Sequence, residues 1–467
     1  MKRSSILVVG LLLAALRSSL MANENALPAS PKIGSLPAAQ VLFPGNSITL
    51  HGPAPDIGWT GNWGMTASSQ DKDYVHRLTA EIAASIFTAI KKQAGLVAPP
   101  NQLIGYTELR TDLPGGRHAN VRTMRAHVVN VDGTENREIA GELITEPDAW
   151  TQFGGWSPDG TQAVISRGWQ SADNAALEEE QKGFHFTKEG WSLDSYLVDI
   201  ASGTNQNVTG VDRVSFYNGG LFFWPGDASK LGFTALIEGN SHPFRMDRDG
   251  HNKSDLTEGS KLFTYGFSSS RDGRRIAYHM NYQVYLADAD GSNAVHISTG
   301  QPFNFGPTWS PDGQWVLFVS GEHYNCHPHI VRADGSGLKK LADRGGYRGV
   351  VEFLDVPDFH SGSSDTPVWS TDSQAVFYTA QKGPNVELFS VDLDGKIEQL
   401  TKSSEGTLHY HPQPSADGDR LLYGCKKNGI RQLCVMQLAD HAEETITKLT
   451  PGHAAMWAHW QPVVVNP

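Results

Sequence analysis

Trp156-Ser157-Pro158-Asp159-Gly160 returns later in the chain as Trp309-Ser310-Pro311-Asp312-Gly313. The pentapeptide joins an apolar anchor to a Pro-Asp-Gly turn, the chemistry that reverses one strand into the next. Variants stand at Ser270-Arg271-Asp272-Gly273, Trp369-Ser370-Thr371-Asp372 and Ser415-Ala416-Asp417-Gly418, and Trp224-Pro225 and Trp460-Gln461-Pro462 occupy the two remaining slots. A second turn signal alternates with the first: Asp132-Gly133, Ser202-Gly203, Asp249-Gly250, Asp290-Gly291, Asp334-Gly335, Asp394-Gly395 and a degenerate Ala439-Asp440. Each follows an alternating apolar stretch such as Val284-Tyr285-Leu286-Ala287, the mark of a hairpin. Their intervals are 70, 47, 41, 44, 60 and 45 residues, mostly near the period of about 40–45 of a four-stranded propeller blade. Seven of each signal predict an all-β, seven-bladed β-propeller over residues 102–462. The chain enters on a second strand near Leu103 and leaves on a first strand near Trp460, so the two ends would close one blade and remove its open edge.

Around this repeat the composition is that of a folded chain. The 467 residues are 39% hydrophobic and 19% charged, enough apolar material for a core. A formal charge of −12 is the wrong sign for holding phosphate backbones, so nucleic acid is excluded as a partner. Three cysteines cannot build a disulfide framework. Cys425 and Cys434 nevertheless fall on paired strands across the Lys426–Gly429 hairpin, where either a disulfide or two free thiols is compatible with the pattern.

The first hundred residues read differently. Lys2 and Arg3 precede an eleven-residue apolar run, 6–16, which ends at Arg17 among small residues. That is a secretory signal peptide over 1–22, too short to span a bilayer. Its removal takes the charge from −12 to −15 and predicts a periplasmic or secreted product with no membrane span. Residues 35–98 form a separate segment with its linker. There an apolar strand ends in Gly45-Asn46-Ser47-Ile48-Thr49 and a helical stretch follows near Tyr74.

Strand order assigns side chains to the two ends of the ring. The Asp-Gly turns fall at one end as architecture. The other end receives Arg117, His118, Arg167, His242, His279, His323, Cys326, His327 and His329 from one set of loops. From the crossings it receives Trp150, Tyr265, Asn304, His360, His409, His411 and His453. Two insertions, 168–191 and 345–365, load the same end with long loops, the usual carriers of function. The second contains Arg348 and His360. In His409-Tyr410-His411-Pro412 the alternation of a strand would turn both histidines toward one divalent ion. The recurrent Trp156, Trp309, Trp369 and Trp457 read as packing between blades.

Three resemblances follow from these residues. The strand, Ser47 turn and helix resemble the opening of an SGNH (GDSL-like) esterase, which implies a nucleophilic serine and, with the sequence changing character after Pro99, a truncated α/β segment. The Trp-Ser-Pro-Asp-Gly repeats resemble those of TolB-type (PD40) propellers of exported bacterial proteins. This implies a propeller that binds a protein or another cell-envelope partner. The His-x-His-Pro element before Ser415 resembles the metal site of oligogalacturonate lyases, seven-bladed propellers of the same repeat class. This third likeness implies a divalent metal (Mn, Zn or Ca) on His409 and His411, completed by His323 or His327 with His360 nearby. His279 would be the base, and an acidic oligosaccharide would be cleaved by β-elimination. The chemistry requires a positive group to neutralise the uronate carboxylate, which a metal or Arg117, Arg167 or Arg348 could supply, and a neutral base near the working pH, which His279, His118 or Tyr265 could supply. Where that family carries a glutamine ligand this chain has Gly406.

Overall fold

The computed structural model describes residues 102–211, 221–237, 240–322, 325–360 and 362–462, with two short paired strands at Lys32–Ile33 and Leu36–Pro37. The signal peptide, Ser47 and its esterase-like segment, and His323 lie outside the described residues, as does the side chain of Tyr265.

The described chain is nearly all β, in the meander pattern of a β-propeller. Leu103–Arg110 pairs with Arg125–Asn130, which pairs with Arg137–Glu138. The C-terminal strand His453–Trp460 adds antiparallel to the free side of Leu103–Arg110, from Ile104 opposite Trp460 to Arg110 opposite His453. Four-stranded antiparallel sheets open, in chain order, with Ala149–Trp156, Phe222–Phe223, Thr264–Ser269 and Phe303–Trp309. The antiparallel four-strand meanders that begin at Val368–Trp369 and Leu408–Pro414 are joined to each other and to the terminal ladder by the single parallel pairs Val386 with Leu408 and Arg431 with Ala454. The repeated turns have one construction. In Ser157-Pro158-Asp159-Gly160 the Ser157 hydroxyl donates to Asp159, and the Asp159 carboxylate accepts the Thr161 N–H at 3.1 Å. Ser270/Asp272, Ser310/Asp312 and Ser415/Asp417 repeat the first bond. A short acceptor that folds back on its own turn explains why Asp recurs there.

Apolar clusters lie between successive sheets. Ala277, Val284 and Leu286 of one sheet meet Val316, Phe318 and Val331 of the next. Leu422 and Leu433 meet Ile104, Tyr106 and Ala455 across the junction that joins the two ends of the described chain. Tryptophans tie neighbouring first strands: Trp156 Nε1 donates to the His459 carbonyl at 3.1 Å, Trp369 Nε1 to Thr308 at 3.2 Å, and Trp460 Nε1 to Gln413 at 2.9 Å. Within sheets, an aromatic ring on the first strand lies against a glycine of the second, as Trp150 does at Gly168, Phe222 at Gly232 and Tyr410 at Gly424, and between sheets Phe153 lies against Gly105. A Cβ at Gly424 would stand 1.9 Å from Tyr410 Cε2. Gly424→Ala is therefore expected to cost about 2–3 kcal/mol by overpacking, read as a lower urea midpoint. A midpoint equal to the parent's would refute this packing.

Both insertions fold onto one end of the sheets. Phe184, Phe186 and Trp191 from the first pack with Val351, Phe353, Leu354 and Val356 from the second, around Trp150, Tyr410 and Met456. Loops that the sequence presents as a free functional rim thus cover one another with apolar side chains. Among the described residues no helix is long and apolar enough to cross a membrane.

Candidate functional site

A pocket of about 230 Å³ lies beneath the second insertion. Tyr347, Arg348 and Glu352 form its insertion side, and His409, Tyr410, Lys426 and Arg431 its sheet side. It is smaller than the roughly 300–1,000 Å³ of sites for drug-sized ligands, and suits one small polar unit. Its wall carries Arg348, Lys426 and Arg431, together with His409, against one acid, Glu352.

Asp355 organises that wall from behind. Its carboxylate accepts two bonds from Arg431, at 2.9 and 3.0 Å, and one from Lys426 at 3.2 Å, and Thr111 donates to it as well. Burial works against the Asp355 charge, yet the Arg431 and Thr111 hydrogen bonds hold the carboxyl well below the usual range. Arg431 is fully buried and also donates to the Glu352 carbonyl at 3.0 Å. The bidentate fork of a guanidinium explains why an arginine occupies this position.

His409 faces away from its expected partner histidine. It is 1% exposed, and its Nε2 lies 2.8 Å from Ser403 Oγ and 3.4 Å from Glu387 Oε2. Glu387 also accepts from Thr401, the Ser403 N–H and Asn385. Burial opposes a charge on His409, but the neighbouring Cys425 and Glu387 raise it to about 9. His411 instead puts Nε2 2.9 Å from the Ser364 carbonyl and 3.3 Å from Ser363 Oγ. Strand alternation fails because the pairing jumps from Tyr410 opposite Gly424 to Gln413 opposite Leu422, and His411 sits in the bulge at φ +50°. The Nε2 of His409 is engaged by Ser403 and Glu387 and that of His411 by a carbonyl oxygen, so the two imidazoles are directed at different partners. Among the described residues no group of three or more His, Cys, Asp or Glu side chains could hold one ion. The two histidines do not fit the expected divalent metal.

The other expected positions are dispersed. Arg117 is buried, paired with Asp358 at 2.9 Å, and its guanidinium stands 5.5 Å from the ring centres of Phe184 and Phe353, so it ties the insertions together. His360 packs edge-on against Phe184, and burial lowers it to about 4. His118 contacts Gln170 at 3.3 Å and Asp148 at 3.7 Å. His327 lies 3.6 Å from Asp343. His279, the expected base, is on Arg275–Met280, in the sheet opened by Thr264–Ser269. It is 1% exposed, and burial alone lowers it to about 3. Tyr265 pairs with it in the backbone ladder. Of the expected residues, Arg348 and His409 line the pocket; Lys426, Arg431, Asp355 and Glu387 were not singled out by sequence. Their signal was weak, because each is a single charge in an otherwise ordinary strand or loop.

No family model matches the chain. The uncharacterized protein Atu1656 of Agrobacterium fabrum is 26% identical over 192 residues, which cover 40% of this chain and 62% of that protein. The Tol-Pal system protein TolB of Thioalkalivibrio sulfidiphilus is 30% identical over 76 residues, 15% of this chain and 18% of that one. The chain thus spans less than two thirds of either relative's length. Among solved structures, an oligogalacturonate lyase in complex with manganese has 15% identity and a TM-score of 0.47, covering 76% of this chain and 89% of that one. TolB from Acinetobacter baumannii has 17% identity and a TM-score of 0.43, covering 72% and 71%.

Proposed function

We propose that the chain is an exported, seven-bladed β-propeller whose pocket binds a carboxylate-bearing saccharide unit. The observation that carries this reading is the pocket wall, where Arg348 and Lys426, with the buried Arg431 behind them, stand against Glu352 as the opposing acid. Asp355 offsets part of that charge and fixes its positions, leaving a cationic surface into which a carboxylate fits better than a neutral sugar. The seven blades rest on the ladder between His453–Trp460 and Leu103–Arg110, together with the apolar clusters between successive sheets. Export rests on the charged start and short apolar run of 1–22.

The reading ends at binding. Elimination requires a base beside the bound uronate, and His279 is buried in a different sheet from the pocket's His409 and Arg431. A cell-envelope protein is the second partner class, favoured by the 76-residue stretch similar to TolB.

Calorimetric titration of the purified protein with galacturonate and glucose at low salt tests the proposal. Galacturonate should bind at least ten-fold more tightly than glucose, the preference should shrink as salt is raised, and Arg348→Gln with Lys426→Gln should remove it. Equal affinity for the two sugars, or heat from neither, overturns it.

A further inference from the structure

Two cysteines, a histidine and a glutamate share one buried cluster beside the pocket. Cys425 lies directly opposite His409 in the ladder between Leu408–Pro414 and Arg420–Lys427. Across the next ladder Cys425 is opposite Gln432 and Cys434 is opposite Tyr423, so the two thiols are diagonal neighbours on one face of the sheet. Both belong to the apolar cluster of Phe377, Leu388, Leu421 and Tyr423. Cys434 and His409 thus flank Cys425 on the two neighbouring strands. Cys434 has a further partner in Thr445 Oγ1, 3.8 Å from its sulfur.

We propose that Cys425 and Cys434 are a redox-active thiol pair, with Cys425 the attacking sulfur and Cys434 the resolving one, which exchanges with small-molecule disulfides. In the first step the Cys425 thiolate attacks one sulfur of the small disulfide. A Cys425–S–S–R bond forms, the R–S–S–R bond breaks, and RS⁻ leaves. In the second step Cys434 loses its proton to the departing thiolate or to water and attacks the Cys425 sulfur, releasing a second RS⁻. The protein thiols are oxidised by two electrons and the small disulfide is reduced to two thiols. Excess thiol reverses both steps.

The surroundings assign the roles. A cysteine becomes a nucleophile beside a cation, and His409 is that cation, held by Glu387 at 3.4 Å. The proximity of Cys434 and His409 pulls the Cys425 thiol below its ordinary range, while the proton stays on Cys434, whose hold on it is raised. Cys425 keeps a small exposure of 7%, next to Lys426 on the pocket wall, whereas Cys434 is 2% exposed. Diagonal strand neighbours stand about 7–8 Å apart at Cα. A relaxed disulfide prefers about 5.5–6 Å. Closing the bond draws the two strands together, so the product is strained and easily reduced, a regulatory bond rather than a structural staple. It also takes from His409 the sulfur that helps hold its charge at the pocket. The inference stands on the cluster and does not require the pocket to bind a sugar.

Cys326 supplies an internal control. It is buried, with its sulfur 3.4 Å from the Glu322 carbonyl, and burial pushes its thiol up to about 11. The folded protein is incubated with 2-hydroxyethyl disulfide at neutral pH, then denatured, alkylated and mapped by mass spectrometry. A linked Cys425–Cys434 peptide pair is expected, with Cys326 alkylated and the link undone by excess thiol. Cys434→Ser should accumulate a mixed disulfide on Cys425 at least ten times faster than on Cys326, and Cys425→Ser should protect Cys434. Thermal melts confirm that each variant is folded. If Cys425→Ser does not fold, the site and rate of adduct formation in Cys434→Ser decide alone. Three alkylatable thiols in the treated wild type, or a first adduct on Cys326 or Cys434, overturns the proposal.

Discussion

Acidification from pH 7 to 4.5 should lower the thermal midpoint of the protein steeply, and His279→Gln should flatten much of that slope. In the folded chain His279 is buried and neutral, with its affinity for a proton lowered to about 3. In the unfolded chain it regains an ordinary value near 6.5. Below pH 6.5 the unfolded state therefore binds the proton and the folded state does not, so stability falls with pH until the folded value is passed. At pH 4.5 the difference is about 2 units, or roughly 3 kcal/mol from this one side chain. His360 and His459, each lowered to about 4 by burial, push in the same direction with less weight because they keep more exposure. Calorimetric scans every half pH unit check this. A midpoint constant across that range, or a variant that falls in parallel with the parent, would contradict the burial of a neutral imidazole.

Asp355→Ala should destabilise the protein by about 3–5 kcal/mol, because it leaves Arg431 charged, wholly buried and without its carboxylate. The double variant Asp355→Ala, Arg431→Leu should recover a large part of that loss, since the cost lies in the orphaned charge rather than in the absence of an attraction. The Asp355 N–H is also bonded to the Thr111 carbonyl at 2.7 Å, so this residue fastens the insertion to the first sheet. Limited proteolysis within 345–365 should accelerate in the single variant. Denaturant melts showing a loss below about 1 kcal/mol, or a double variant no better than the single, would remove the pair from this role.

The repeat was legible because it is local: a Ser-x-Asp turn and an Asp-Gly turn need only their own few residues, and both recur at blade spacing. The tryptophans were read as packing, and Trp156 and Trp369 each reach a neighbouring strand. The site was less legible. The rule that alternate residues share a face holds for a regular strand, and at His411 the strand is bulged. A comparison within the chain carried the warning: Gly306-Pro307 and His411-Pro412 occupy the same place in their strands, and the glycine also has positive φ, +64°. The pairing of Asp355 with Arg431 joins residues 76 apart and follows from tertiary folding, which no local pattern reveals. Of the expected catalytic and metal positions, Arg348 and His409 reach the pocket.

The ladder between the first and last strands also has a kinetic consequence. Arg110 Nε meets the Gly452 carbonyl at 3.2 Å across 342 residues of sequence. During synthesis, Leu103–Arg110 emerges early and waits with its outer hydrogen-bonding groups unpaired until His453–Trp460 arrives. Contacts of such separation are slow to form, and an unsatisfied edge recruits other strands meanwhile. A nascent chain stalled before residue 453 is thus a template for association with its own copies.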